Sequence, residues 1–394
     1  MDIPTPKGFL FSAIEAGIKY ANRYDLALIH SKKQAQVAGV FTTNQIKAAP
    51  VKICMKRIKG GLAQSIILNS GNANACTGKR GMEDALEITE KLAAKLEIKK
   101  EHVLPLSTGV IGMPLPMEKI LPALDKLVAQ LGKADALLVA KAIMTTDTFP
   151  KISYRQIEWN GRVITLLGIC KGAGMISPNM ATMLGVILTD AKIDSFSLQE
   201  LLRNAVSNSF NSITVDGDMS TNDTVLMLAN GQSESEKIDK KSLLYKEFKA
   251  SLNDLCLELA KMIVRDGEGA TKVITINVVG AKTAGDAKRI AKAVAHSPLV
   301  KTAFYGEDPN WGRIIAAVGY AGVPIKEENI EILINGICLF EKGLPTMRED
   351  ELKDSLRQKE IEVFINLNLG KSKAKIYTTD LSEEYIRINS AYRT

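Results

Sequence analysis

Residues 171–190 read KGAGMISPNMATMLGVILTD: a glycine-rich polar loop runs through Pro178-Asn179-Met180-Ala181 into Thr182, at the head of an apolar strand. A loop that can be strained, ending at a hydroxyl on a rigid strand beside the preceding carbonyl, has the parts that intramolecular peptide attack requires. Attack by the Thr182 hydroxyl on the Ala181 carbonyl would give an ester and then a new N-terminal threonine. That residue would carry its nucleophile and an α-amine of unperturbed pKa about 8 on one framework, sufficient for acyl transfer near neutral pH without a histidine. From one Ala-Thr step alone, however, a β-branched residue that simply opens a strand is the better reading.

Other chemistries find little support. His30, His102 and His296 stand apart with no HExxH, which makes each a surface or satisfied core residue before a metal ligand. No metal site is expected. GNANACTGKR has a Gly-Lys pair, but Ala73 replaces the first P-loop glycine and Arg80 the Ser/Thr. KGAGMIS has Ser177 where a dinucleotide fingerprint needs its third glycine. There is no GxSxG elbow. The stretch 216–223 (DGDMSTND) resembles a calcium loop but lacks the terminal bidentate Glu, so it reads as a structural or site-wall loop. Five cysteines (Cys54, Cys76, Cys170, Cys256, Cys338), odd in number and without CxxC, fit reduced thiols in a cytoplasmic protein.

The elements that must position Thr182 alternate between two periods. Apolar residues at helical spacing predict helices over 82–97, 118–130, 196–208 and 243–264. Strands are predicted over 36–41, 65–69, 153–159, 162–169, 184–189, 272–279, 330–334, 360–366 and 374–379. Asn160-Gly161 and Asn335-Gly336 lie between strand-like runs and tolerate the positive φ of tight two-residue turns, so two hairpins are expected. Hairpins beside helices point to an α/β protein of mixed α+β layers rather than a purely parallel sheet. The polar loop 231–241 reads as a solvated connector that would suit the join between two lobes.

At 394 residues the chain is long enough for one large domain or two to three modest ones. Its apolar runs are too short for a membrane span, and its first residues lack the pattern of a secretory signal. A net charge of +7 with 5% aromatics does not indicate a nucleic-acid binder. Residues 1–181 carry 24 Lys/Arg against 14 Asp/Glu, and residues 182–394 carry 27 against 30. Such asymmetry favours anionic small molecules or, more blandly, complements the acidic half.

SPNMATMLGVILTDA resembles the processing site of the ornithine acetyltransferase (glutamate N-acetyltransferase) family of arginine biosynthesis. AGVFTTNQIKAAPV, LNSGNANACTG, LSTGVIG, MTTDTFPK, SFNSITVDGDMSTNDT, RDGEGATK, YGEDPNWGRI and IRINSAYRT resemble its further motifs, in order along most of the chain. The resemblance implies a self-processing, sandwich-like fold with mixed sheets, and cleavage between Ala181 and Thr182. The products would be an α chain of 1–181 and a β chain of 182–394 that stay together, as an α2β2 heterotetramer. Thr182 would be the nucleophile, and Thr108 and Gly109 the oxyanion hole. Thr145, Lys171, Thr182, Glu268, Asn389 and Thr394 match the substrate-contacting positions. Lys171 suits a substrate carboxylate and Glu268 the free amine of ornithine. Without the resemblance, a solvated lysine and a turn carboxylate would be the better readings. The β-like IRINSAY suggests a docked tail rather than a frayed one.

The implied reaction is ping-pong. Thr182 takes the acetyl group from N-acetylornithine, ornithine leaves, and glutamate accepts the group from the acetyl-threonine ester. Either the α-amine or Glu268 serves as base. No cofactor is called for, although some members of the family also take acetyl-coenzyme A as a substrate, and no residue here decides that. The rivals are an N-terminal-nucleophile amidase or aminopeptidase, in which water resolves the acyl-enzyme, and an uncleaved anion-binding protein.

Overall fold

The structure, a computed structural model, describes residues 3–177 and 183–391. They form two compact units, the first built from residues 1–211 and 218–263, the second from 212–217 and 264–393.

The first unit carries strands β1 (Phe9–Ile14), β2 (Leu26–Phe41), β3 (Leu62–Asn69), β4 (Val103–Ser107), β5 (Lys151–Trp159), β6 (Arg162–Lys171), β7 (Leu184–Thr189) and β8 (Thr224–Ala229). They make one mixed sheet in the order β4-β3-β2-β8-β7-β6-β5, with β1 paired to β2. Helices α1 (Ala49–Arg57), α2 (Gly78–Lys95), α3 (Met117–Ala129), α4 (Ala136–Ala142), α5 (Ser195–Ser207) and α6 (Leu243–Arg265) accompany it. Successive strand side chains point to opposite faces, and here both faces are apolar. Ala27, Ile29, Ile66, Leu68, Leu104 and Leu106 enter one core with Val139 and Ala140 of α4. Their neighbours Leu26, Leu28, Ile67 and Val103 enter another, with Ile88 and Leu92 of α2 and Leu124 and Leu127 of α3. Such strands read as nearly continuous apolar runs because both faces are covered.

The second unit contains β9 (Val273–Ala281), α7 (Ala284–His296), α8 (Pro298–Tyr305), α9 (Trp311–Gly319), β10 (Glu331–Ile334), β11 (Ile337–Glu341), β12 (Leu344–Pro345), β13 (Glu360–Asn366), β14 (Ser372–Thr379) and α10 (Glu383–Ala391). Its sheet order is β12-β11-β10-β13-β9-β14, with β13 and β9 parallel and the other pairs antiparallel. Ile361, Val363 and Ile365 point into a core shared with Ile290, Val294, Phe304 and Ile314, while Glu360 and Glu362 face out.

The α/β class with mixed sheets and hairpins is as expected. Both Asn-Gly hairpins form with Trp159 opposite Arg162 and Ile334 opposite Ile337. φ is +48° and +73° in the first turn and +46° and +83° in the second, the geometry that follows strand twist. All four helices and all nine strands that periodicity predicts are present.

Two expectations fail. Residues 231–241 lie inside the first unit and do not join the two, and Ser233, Ser235 and Ile238 are buried, so this is no solvated connector. The tail expected to be β-like is the helix α10, with no buried residue among those described. The units also divide the chain elsewhere than residue 181. The 181–182 junction falls between β6 and β7, inside one sheet, where Lys171 pairs with Leu184. Both ends of the connecting loop are therefore anchored. No described helix is long and apolar enough to cross a membrane.

Candidate active site

In the first unit, β4 ends at Ser107, β6 ends at Lys171, and α4 ends just before Thr145. The Lys171 ammonium donates to Thr145 Oγ1 at 2.8 Å and to Thr108 Oγ1 at 3.3 Å. Three residues expected to act together, from three separate segments, thus meet at the mouth of the loop that carries the expected cleavage site. A lysine that donates into a threonine oxygen leaves that hydroxyl's own proton to be given elsewhere, as an oxyanion donor requires.

Gly109 follows with φ +134°, and a Cβ there would collide with the Gly71 carbonyl carbon and the Asn72 nitrogen. Only glycine fits so close a backbone approach. The Thr108 amide donates to Asn69 O at 3.0 Å, whereas the Gly109 amide makes no backbone bond among the described residues. Asn222 braces this loop: its Nδ2 donates to Ser107 O at 2.8 Å and to Ala73 O at 2.7 Å. The 218–223 part of the acidic stretch is therefore a site wall, as the sequence suggested.

Asp147 was not anticipated. Its Oδ1 accepts from Lys151 Nζ at 2.6 Å and from the Gly172 amide at 2.7 Å, and its Oδ2 accepts from the Thr145 amide at 3.0 Å. One buried carboxylate thus ties together the backbone next to Thr145 and Lys171. Burial opposes its charge, but Lys171 and Lys151 outweigh burial and hold the carboxyl down at about 2. Asp147 lies within MTTDTFPK and was visible as a type, but its partners come from other segments.

In the second unit, Glu268 occupies a turn closed by the Ala270 amide on Gly267 O at 2.9 Å. Gly269, at φ +68°, packs where a Cβ would strike the Tyr385 nitrogen. Asn389 of α10 donates through Nδ2 to Glu268 Oε2 at 2.8 Å. Asp380 fastens the turn to the root of α10: it accepts the Thr271 and Lys272 amides at 2.9 and 3.0 Å and the Thr271 hydroxyl. Ser382 Oγ adds a bond to Gly269 O at 2.5 Å. The expected pair Glu268 and Asn389 is therefore assembled within this unit. Ala181, Thr182 and Thr394 lie outside the described residues.

The ArgJ family model matches residues 10–394. The chain belongs to the ArgJ family. It is 50% identical over 390 residues to the arginine biosynthesis bifunctional protein ArgJ of Geobacter sulfurreducens, covering 98% of this chain and 99% of that one. The protein of the same name from Caldanaerobacter subterraneus is 46% identical over 397 residues, covering 100% of this chain and 98% of that one. Among solved structures, the ArgJ of Bacillus halodurans is 42% identical with a TM-score of 0.51, and the match covers 52% of this chain and 98% of that one. The family resemblance read from the motifs is thus borne out over nearly the whole chain. Of the positions inferred from the motifs, Thr108, Lys171 and Thr145 of the first unit are in contact.

Proposed function

We propose that the protein moves the acetyl group from N-acetylornithine to glutamate through an acetyl-threonine intermediate, after cutting itself between Ala181 and Thr182. The observation that carries this reading is the contact of Lys171 with Thr145 and Thr108 where β6 gives way to the loop leading to Thr182. An oxyanion donor set, a cation for a carboxylate and a threonine nucleophile are the parts that acyl transfer needs.

In the forward step Thr182 Oγ attacks the acetyl carbonyl and its proton passes to the α-amine. The developing oxyanion is met by the Thr108 hydroxyl and the Gly109 amide, while Lys171 and Thr145 hold the substrate's polar end. Glu268 suits the free amine of ornithine, and Asn389 and Thr394 are read as further substrate-contacting residues. Ornithine leaves, and the glutamate amine then attacks the ester. The chemistry draws on side chains, the α-amine and substrates alone. The relatives' printed name, bifunctional, supports a second acetyl donor, and acetyl-coenzyme A is the one assayed first. Assembly as α2β2 in the cytoplasm completes the reading, and five free thiols fit a reducing compartment. The solved relative's chain is matched over 98% of its length by about half of this one, as one product of such a cut would be.

Intact mass tests the first step. Wild type should give species of about 20 and 23 kDa, the shares of 42.8 kDa carried by 181 and 213 residues, and Thr182→Ala a single 43 kDa chain. The cut enzyme should then release ornithine in a burst equal to the enzyme concentration when glutamate is withheld. An uncut wild type defeats the reading; release of free acetate with no acetylglutamate makes the protein a hydrolase instead.

A further inference from the structure

The connection between β1 and β2, residues 15–25, is fastened to the first unit's site in two places. Its Asp25 carboxylate accepts the Ala16 and Ile18 amides at 2.7 and 2.5 Å, which folds the segment on itself. The Asp25 carbonyl accepts the Ser70 amide at 3.0 Å, and Ser70 Oγ donates to Ala142 O, at the end of α4, at 2.7 Å. Lys19 packs on Gly71, where an added Cβ would come within 2.7 Å of the lysine's own, and Gly71 is the backbone against which Gly109 closes.

The second fastening is Arg23, whose Nη2 donates to the carbonyls of Met144 and Thr145, the latter at 3.4 Å. Thr145 is thus held by two cations, Lys171 on its hydroxyl and Arg23 on its backbone. They differ in what balances them. Lys171 has a counter-charge in the buried Asp147 carboxylate, kept ionised against burial by Lys171 and Lys151. Arg23, half-buried, pairs with no carboxylate among the described residues, and its Nε and Nη1 make no hydrogen bond there. The carboxylates of the two segments it joins are committed elsewhere. Asp25 holds its two amides, and Asp147 holds Lys151 and the amides of Thr145 and Gly172. A guanidinium always carries its charge and has five N–H donors, a match for a carboxylate.

The two substrates differ in the charge that such a group would answer. N-acetylornithine has one carboxylate and a free amine, whereas glutamate has two carboxylates. In the proposed transfer Lys171 and Thr145 hold one carboxylate of either substrate. Glu268, suited to the amine of ornithine, repels the second carboxylate of glutamate. The acceptor therefore needs a cation that the donor does not.

We propose that Arg23 binds the side-chain carboxylate of glutamate and so selects the acceptor. This rests on the acetyl transfer proposed above. The carboxylate takes the donors that the Met144 and Thr145 carbonyls leave open, and those carbonyls fix the guanidinium beside the threonine that Lys171 holds.

The test compares L-glutamate with L-glutamine, which replaces only that carboxylate by an amide, as acceptors of acetyl from N-acetylornithine on the cut enzyme. Wild type should prefer glutamate. Arg23→Gln should lower the ratio of kcat/KM for glutamate to that for glutamine roughly 10–100-fold, the loss of one charge-assisted hydrogen bond. Arg23→Lys keeps the charge without the several donors and should lower the ratio by a smaller factor, which serves should the neutral variant fail to accumulate. An arginine that only tied the β1–β2 connection to Thr145 would, when lost, depress both acceptors alike. A ratio unchanged in either variant therefore overturns the proposal, and so does a wild type that takes glutamine as readily as glutamate. A wild type that makes no acetylglutamate overturns the transfer reading itself, which separates the two failures.

Discussion

Asp147→Asn is the substitution whose consequence the structure specifies most fully. Asp147 and Lys151 side chains are both wholly inaccessible and meet at 2.6 Å. Removing one partner of a buried ion pair strands the other charge, which costs about 3–5 kcal/mol. Here the loss is compounded, because the new amide nitrogen would face an N–H donor at Thr145 or Gly172, or the Lys151 ammonium. In a domain of this size each kcal/mol moves the melting temperature by roughly 2–4 °C, so the first unit should melt roughly 6–20 °C lower. The pH arm has a definite sign. The folded carboxyl titrates at about 2 against an ordinary 3.8, on the order of 2 kcal/mol of stability. That contribution is complete above the ordinary value and is lost as pH falls through the folded one. Wild type should therefore lose stability between about pH 4 and pH 2, and the variant should lose less there. Melts of Asp147→Asn, Lys151→Met and the double variant form a cycle; the double should be more stable than Asp147→Asn alone, since the Lys151 charge is no longer stranded. A fall of less than about 3 °C in Asp147→Asn, or a double variant as unstable as the sum of the singles, refutes the account.

Thr108→Val should cut kcat for acetyl transfer roughly 10²–10³-fold, as loss of one oxyanion donor does, with KM for N-acetylornithine changing far less. Steady-state kinetics on the cut enzyme checks it. Gly109→Ala, forced against the Gly71–Asn72 backbone at φ +134°, should lose at least as much activity, and a variant retaining full activity would remove Gly109 from the site. Lys301 is buried with its ammonium on Thr379 O at 2.5 Å, Thr379 Oγ1 at 3.0 Å and Thr378 Oγ1 at 3.3 Å. Burial lowers it to about 8, although Asp380 and Asp216 oppose the fall. Between about pH 8 and 10.5 the unfolded chain holds the proton that the folded one has released, so this group adds stability as pH rises. Lys301→Met should flatten that part of the stability profile, measured by denaturant titration.

What was legible in the sequence follows the physics of each element. Residues 184–189 and 360–366 were delimited to the residue, one a mostly apolar run buried throughout and the other a strand whose burial alternates. β8 and β4 escaped notice, the first because TVLMLA carries no turn signal of its own, the second because Pro105 interrupts a five-residue strand. α7 was missed because alanines supply much of its buried face. The tail misled because Ile386 and Ile388 look like alternation in a segment that is in fact helical. The site divides similarly. Thr108, Gly109, Thr145, Lys171, Glu268 and Asn389 came from motif resemblance; among them Lys171 bonds Thr108 and Thr145, and Asn389 bonds Glu268. Asp147 stood inside a quoted motif, but a carboxylate's role depends on what faces it from other segments. Spacing along the chain holds no record of that.

The same sheet order decides what a cut at residue 181 would do. Reading across the first unit, β2 is followed by β8, β7 and β6. The fragment beginning at residue 182 would supply β7 and β8, and the fragment ending at 181 the strands on both sides. Gln36–Phe41 pairs antiparallel with Thr224–Ala229, and Leu166–Lys171 with Leu184–Thr189. All twelve residues of β7 and β8 are buried, and eight of them are Leu, Ile, Val or Met. At about 1.5–3 kcal/mol each, their burial is worth roughly 12–24 kcal/mol gross, against about 12 kcal/mol for a nanomolar complex. Severing one peptide bond in the loop between paired Lys171 and Leu184 removes no strand from the sheet. The two fragments should therefore elute together in gel filtration at nanomolar concentration and part only in denaturant. Fragments that separate without denaturant would mean that the central strands do not hold the halves together, and that the sheet order assigned here is wrong.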